Sequence, residues 1–522
     1  MRGHARVHLP ALSGIRRLWL EGEYRPHPEV RGLEASLPRL RITLGGRRLP
    51  PPPPAPGPWR IELPWPSTVP DGGIDLELNL LDVASTNTLA WLARITSAQG
   101  IQRFRAQNKN RQLRIRRRTM DDGEVIYDFS DRQGPFSLAF ARRHHEFGVN
   151  IAGFLTADLG VGESARCMVR AADAAALKTT LIDLRLPCKN RRGDLSFADR
   201  LAVTATYPIS IIHLDPPASR DLDHHQGRDF RAGRYNIGYW AWELPEFPDS
   251  WMRSFETFDE IWCPSDFTRE AIGFKAPVPV ITMPHAIAFE RPTEPVEALR
   301  IRLGLPVTGF LFLVLYDLNS YSERKNPRAA IEAFRRSGLA NRGARLVVKV
   351  HSTVGNEADL ARLRADLADL PDAVLLTETF SRQDLSALEA ACDCYVSLHR
   401  AEGFGLAVAE CMYLGKPVIT TDWSATKEFA CDATALPVRV KLIALDRSHG
   451  PYARGQIWAD PDVDHAAEQM QRIASNPALQ ASLGRAARQR IEERFSPALI
   501  GDRYRRRLEA VAMNASATSL PP

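Results

Sequence analysis

The chain has 522 residues, 44% of them hydrophobic and 25% charged, with a formal net charge of +6. Those proportions are ordinary for a soluble globular protein, and a chain of this length buries several cores without disulfide staples. The longest apolar runs, such as Phe310 to Tyr316, fall far short of the roughly 20 residues that cross a bilayer, and Met1 to Glu21 lacks the apolar core of a signal peptide.

The seven cysteines are odd in number and contain no Cys-x-x-Cys pair, so they read as buried thiols in a reducing compartment. The expected location is cytoplasmic. The mild basic excess fits anionic ligands or an anionic membrane surface and selects neither.

Residues 1–95 read as a β-rich accessory domain. Leu40 to Leu44 alternates, Gly45-Gly46 offers a hairpin turn, and Ile74 to Leu80 alternates apolar residues with Asp75, Glu77 and Asn79. Prolines 50 to 54 form a stiff loop. Residues 96–146 read as a basic linker, in which Arg103 to Arg118 carries eight Lys or Arg residues and no acid. Its one aromatic, Phe104, gives no stacking platform, so no nucleic acid is expected as a partner. A solvated linker and a peripheral contact to anionic head groups at the inner face of the membrane are both open.

From residue 147 the texture changes. Short apolar runs (Val149 to Leu155, Thr179 to Leu184, Ile209 to Leu214, Ile237 to Trp240, Glu260 to Cys263, Val278 to Met283) alternate with polar or helical stretches. That is the pattern of a parallel sheet with crossover helices. A second set follows at Phe310 to Tyr316, Arg345 to Val350, Ala373 to Leu376, Cys394 to Ser397 and Pro417 to Thr420. The predicted fold class is therefore α/β, with two Rossmann-like domains at 147–290 and 291–512. Helices at Asp464 to Arg494 and Pro497 to Ala512 end the second domain, and residues 513–522 form a disordered tail.

Two such units leave a cleft, and ligands of such sheets sit outside the carboxyl ends of the strands. Motifs at strand ends carry most weight. His399 to Glu410 runs from a strand through a glycine turn into a helix near Leu406. Gly403 and Gly405 let backbone approach a ligand, and the free N–H groups of a helix start favour phosphate or sugar hydroxyls. By spacing alone, Glu402 and Glu410 are either surface acids beside a tight turn or two carboxylates at the two ends of a ligand. Arg324 and Lys325 follow the first strand of the second unit, where they supply countercharge to a diphosphate or cap the helix at Pro327. His213 ends a strand of the first unit, and Gly160-Val161-Gly162-Glu163 makes a glycine-rich loop before a helix.

The pair Glu402-x7-Glu410, framed by Glu402-Gly403-Phe404-Gly405-Leu406 and followed by Cys411-Met412-Tyr413-Leu414-Gly415-Lys416-Pro417-Val418-Ile419, resembles the donor-site signature of retaining glycosyltransferases of family 4. These have the GT-B fold. The resemblance spans residues 147 to 510 and leaves the first 146 unexplained. It implies transfer of a sugar from a UDP- or GDP-linked donor to a glycan or lipid-linked acceptor, in polysaccharide or glycoconjugate synthesis, with no cofactor and no metal.

By the same resemblance, Glu402 contacts the transferred sugar, with His213 as a second catalytic candidate, and Glu410 contacts the ribose. Gly403, Phe404, Gly405 and Leu406 line the sugar and phosphates, and Lys325 meets the diphosphate. Gly160, Gly162 and Glu163 lie near the phosphates and acceptor. The family's early Arg is missing, since Asp317 and Leu318 stand there, and Arg324 is its substitute. Trp240 and Trp242 either stack on an acceptor sugar or pack in the core. Glu428 is either a family acid or a helix N-terminal acid. A non-catalytic nucleotide-sugar or glycan-binding protein and a GT-B-type epimerase are the alternatives.

Overall fold

The computed structural model describes residues 147–517, apart from 228, 229, 232, 233 and 371, together with eight strands between His4 and Asp128. These are β1 (His4–Leu9), β2 (Leu18–Arg25), β3 (Arg39–Leu44), β4 (Arg47–Leu49), β5 (Gly57–Leu63), β6 (Ile74–Leu81), β7 (Gln112–Thr119) and β8 (Val125–Asp128). They form two antiparallel sheets, β1-β6-β3-β4 and β5-β2-β7-β8. β3 and β4 pair antiparallel with Leu44 opposite Arg47, so the chain reverses between them as the alternation predicts. The stretch 96–146, expected as a linker, holds two strands among its described residues. Gln112–Thr119, which carries Arg114, Arg116, Arg117 and Arg118, is a strand that pairs with β2 along its length, and β8 pairs with it in turn. Prolines 50 to 54 and the side chains of Arg103 to Arg118 lie outside the described residues.

The first parallel sheet contains β9 (Val149–Gly153), β10 (Thr179–Asp183), β11 (Ile209–His213), β12 (Tyr235–Tyr239), β13 (Glu260–Cys263) and β14 (Val280–Thr282), in the order β10-β9-β11-β12-β13-β14. β9, β11 and β12 are buried on both faces, which is why they read as mostly apolar runs, each interrupted by an internal polar residue (Asn150, Ser210 and Asn236). One polar residue in β9 is satisfied internally: Asn150 donates to the Tyr207 and Ile209 carbonyls.

The second sheet holds β15 (Leu311–Asp317), β16 (Arg345–His351), β17 (Val374–Leu376), β18 (Cys394–Ser397), β19 (Val418–Thr421) and β20 (Leu436–Val438), ordered β17-β16-β15-β18-β19-β20. Phe312, Val314, Tyr316, Leu346, Val348 and Val350 pack on one face, while Leu311, Leu313 and Val347 face the opposite core. Two parallel sheets with helices between their strands give the GT-B arrangement expected of the chain. In both sheets the strand order reverses next to the first strand, at β9/β11 and at β15/β18. That reversal opens a crevice at the strand ends.

Further features depart from the sequence reading. A hairpin, β21 (Val440–Ala444) and β22 (Ile457–Pro461), follows β20. The last helix, Pro497–Ala517, continues through residues 513–517, which the sequence reading assigns to a disordered tail. This helix returns to the first unit and packs on the helix Gly160–Ala174. A Cβ at Gly501 would fall 2.2 Å from the Ala171 carbonyl oxygen, so only glycine fits. Among the described residues no helix is long and apolar enough to cross a membrane.

Candidate active site

The two crevices face each other across a cavity of about 860 Å³. β18 enters it and gives way to a turn that ends in the helix Leu406–Tyr413. Gly405 takes φ 93°, and a Cβ there would fall 2.6 Å from Thr426 Cγ2, so the turn requires glycine. The first unit holds the loop in place: the Gly403 carbonyl accepts from Ser265 Oγ at 2.7 Å and Thr268 Oγ1 at 3.1 Å. The Phe404 ring packs between His285, Phe429 and Phe495, which leaves its backbone facing the cavity.

β15 enters beside it and is followed by the short helix Ser322–Lys325. Asn326 then turns the chain in a left-handed conformation, with φ 51°, and donates to the Leu398 carbonyl at 3.0 Å. The result brings Lys325 Nζ to 2.5 Å and Arg324 Nη1 to 3.2 Å from Glu402 Oε1. Burial pushes the Glu402 carboxyl up, but Lys325 and Arg324 outweigh it and hold it down at about 2. Glu402 is therefore ionised and compensated at neutral pH. Arg324 is itself buried. It donates to the Ala401 carbonyl at 2.8 Å and lies 3.7 Å from Glu243, so much of its charge is turned toward the domain junction.

Glu410 lies one turn into the helix Leu406–Tyr413, where Arg382 grips it with two hydrogen bonds, at 2.7 and 3.2 Å. Arg382 also comes within 4.0 Å of Glu163 from the first unit. Glu163 is not a free loop acid. It is buried and bound by Arg166 at 2.9 Å and by Arg170. Burial raises its carboxyl, but Arg170 and Arg382 overcome that and hold it well below the usual range. Glu410 goes the other way: burial outweighs Arg382 and pushes it up. Gly160 and Gly162 are in the first turn of the helix Gly160–Ala174 rather than in a loop before it, a correction to the sequence reading. A Cβ at Gly162 would fall 2.5 Å from the Ala157 carbonyl oxygen.

On the first unit's side, His213 Nε2 lies 2.5 Å from Ser164 Oγ, which also contacts His285. His285 in turn meets the Tyr239 hydroxyl at 3.0 Å. Burial pushes both imidazoles down to about 3, so they are neutral hydrogen-bonding groups. Trp240 and Trp242 are core residues: both are buried, Trp240 stacks on Phe247, and Trp242 Nε1 donates to the Glu246 carbonyl. Glu428 does serve a helix N-terminus, but across the cleft. It accepts from the N–H groups of Asp266 and Phe267, at 3.2 and 2.9 Å, at the start of the helix Asp266–Gly273.

The cavity wall also holds residues that the sequence reading does not single out. Asn190 crosses from the first unit to Asp317, at 3.1 Å, where the family's Arg is missing. Asp215, on the loop after β11, is exposed to the cavity, where the surrounding protein, with Glu243 nearby, pushes its carboxyl up. Lys349, in the middle of β16, donates to the Val350 and Glu378 carbonyls, and burial pushes its amine down to about 8. A lysine among the apolar residues Leu346 to Val350 is the one local signal that marks it. Among the described residues no three His, Cys, Asp or Glu side chains converge as metal ligands.

Known proteins share this architecture. HepE of Anabaena, solved in complex with UDP and glucose, superposes with a TM-score of 0.52 at 13% identity, over 70% of this chain and 100% of that one. Sucrose-phosphate synthase from Thermosynechococcus elongatus superposes with a TM-score of 0.52 at 15% identity, over 70% and 100%. In sequence, the chain is 26% identical over 200 residues to the alpha-1,3/1,6-mannosyltransferase ALG2 of Homo sapiens. That match covers 36% of this chain and 43% of the human protein, so the chain spans less than half of that relative's length. Residues 310–490, which hold both the Lys325 loop and the Glu402–Glu410 pair, match the family model described as Glycosyl transferases group 1.

Proposed function

We propose that the chain is a retaining glycosyltransferase of family 4, moving a sugar from a nucleotide-sugar donor to a glycan or lipid-linked acceptor. The observation that carries the reading is the ionised Glu402, held by Lys325 and Arg324 where the helix Leu406–Tyr413 begins, at the strand reversal of the second sheet. A donor diphosphate entering there takes Lys325 as its countercharge and meets the free N–H groups of the helix start. Glu402, released from Lys325, accepts hydroxyls of the transferred sugar. The bond from the anomeric carbon to the diphosphate breaks, the acceptor oxygen bonds to that carbon, and the acceptor's hydroxyl proton passes to the departing diphosphate oxygen. Lys325 and the helix start stabilise the charge that develops on the leaving group.

The matched family model, the mannosyltransferase activity of ALG2 and the UDP and glucose held by HepE all support this reading. Glu410 is assigned to the ribose, which requires that the donor displace Arg382 or share it. His213 is a neutral hydrogen-bonding group beside the reacting centre, Gly160 and Glu163 are part of the wall facing it, and Gly162 supports them from beneath. On this reading the reaction needs no metal and no cofactor, and the protein works in the cytoplasm, with Arg103 to Arg118 as a contact to anionic head groups. The test is a thermal-shift series with UDP, GDP and their glucose and mannose conjugates. At least one nucleotide raises the melting temperature; a flat series sinks the proposal.

A further inference from the structure

The hairpin β21–β22 belongs to neither Rossmann-like sheet. Its connection, residues 445–456, reaches back over the cavity, and Pro451 and Tyr452 form part of the wall. The tip is fixed firmly: a Cβ at Gly450, where φ is 57°, would fall 2.0 Å from the Tyr321 hydroxyl. The connection also touches the first unit, where Gln456 Nε2 donates to the Glu246 carbonyl at 3.2 Å. Tyr452 is 3% exposed, and its ring lies against Trp242 and Tyr321, with centroids 5.5 and 5.3 Å apart. Its hydroxyl donates to Glu243 Oε2 at 3.1 Å. The Arg324 guanidinium sits 5.9 Å from the Tyr452 ring centroid and 3.2 Å from Glu402 Oε1, so Tyr452 is one side chain removed from Glu402.

We propose that Glu243 and Tyr452, brought together by this hairpin, read hydroxyls of the transferred sugar and determine which sugar the donor carries. The inference rests on the glycosyltransferase reading and deepens it. The tyrosine hydroxyl spends its proton on Glu243 and keeps lone pairs that accept. Glu243 Oε1 lies 3.7 Å from Arg324, beyond hydrogen-bond distance, and accepts as well. Two acceptors side by side call for a ligand with two donors, which neighbouring hydroxyls of a pyranose supply. A phosphate is the wrong ligand here, because Glu243 and Asp215 would both repel it. The diphosphate is thereby assigned to the Lys325 side and the sugar to the hairpin side.

The test compares two affinities by calorimetry in the full chain: that for UDP or GDP, whichever stabilises the protein, and that for its glucose or mannose conjugate. Tyr452→Phe keeps the ring packing and removes the hydroxyl; Glu243→Gln keeps the size and removes the charge. Both variants bind the nucleoside diphosphate within about twofold of the wild type and bind the nucleotide sugar about five- to tenfold more weakly, the range of one or two lost hydrogen bonds. Unchanged affinity for the nucleotide sugar overturns the inference, and so does an equal loss for both ligands, which marks a structural role. A wild-type chain that binds neither nucleotide removes the underlying reading instead, and this inference with it.

Discussion

Glu402 sits in a net of charge that is balanced before any ligand arrives. Lys325 and Arg324 lie on the same carboxylate oxygen, so removing either sign has a definite consequence. Glu402→Gln lowers turnover by about 10²–10³, in the range of a lost transition-state contact. It also leaves Lys325 without its carboxylate while Arg324 keeps Glu243, so nucleoside diphosphate affinity stays the same or rises. Full turnover by the variant, read with any accepted donor, would remove Glu402 from the chemistry. Lys325→Ala weakens nucleoside diphosphate binding by about 2 kcal/mol, the scale of a charge-assisted hydrogen bond; calorimetry showing equal affinity sinks that role. The buried imidazoles make a second statement at this scale. Burial holds His213 and His285 at about 3 and His399 at about 4. The unfolded chain takes up these protons near pH 6.5, and the folded chain does not, so stability is complete above that pH and falls as pH drops below it. At pH 5.5 each imidazole costs about 1.4 kcal/mol. Urea midpoints at pH 7.5 and 5.5 should show the loss, and His399→Gln should shrink it by about a third.

At the scale of elements, glycines set what the backbone can do near the cavity. Gly162 lets the helix Gly160–Ala174 start directly beneath the Phe154 and Ala157 carbonyls. Gly162→Ala therefore destabilises by about 1–3 kcal/mol, the usual cost of overpacking, and a melting temperature equal to the wild type's would refute the contact. Strand existence was legible in the chain because a strand buried on both faces writes a continuous apolar run, as Leu311 to Tyr316 does. The turn from β18 into Leu406 was legible because Gly403 and Gly405 are local requirements of one loop. The hairpin β21–β22 was not, since its exposed pattern over Val440–Ala444 lacks clean alternation and a long connection separates its strands. Arg382 escaped for a related reason: its partner Glu410 lies 28 positions on, with a strand between them, and nothing local ties the two. Trp240 and Trp242 could not be assigned from the chain alone, because a core ring and a ligand-stacking ring look alike until their neighbours are known.

Polar contacts join the two units alongside ring packing such as Phe404 on His285 and Tyr452 on Trp242, and they bear on whether the cavity stays closed. Ser265 and Thr268 hold the Gly403 carbonyl, Glu428 caps the helix Asp266–Gly273, and Tyr452 reaches Glu243. Each is a modest interaction, about 1 kcal/mol, so closure is adjustable rather than locked. A chain carrying Ser265→Ala and Glu428→Gln keeps its two sheets but opens more readily. Small-angle scattering should show a larger radius of gyration for this variant without ligand, and added nucleoside diphosphate should reduce the difference. An identical radius in both chains would show that these contacts do not govern closure.

The returning helix Pro497–Ala517 bears on how the protein is made. Glu260, whose side chain is fully buried in the first sheet, receives its countercharge from Arg507 at 3.0 Å, and Trp262 packs on Tyr504. The ion pair joins residues 247 positions apart in the chain. A ribosome working at roughly 5–20 residues per second needs roughly 12 to 50 s to bridge that gap. During that interval the first unit holds an uncompensated carboxylate beside an uncovered tryptophan. The first sheet is thus the earliest part of the GT-B pair to be synthesised and among the last to be finished, and a nascent chain stalled before residue 497 presents this patch to chaperones and proteases.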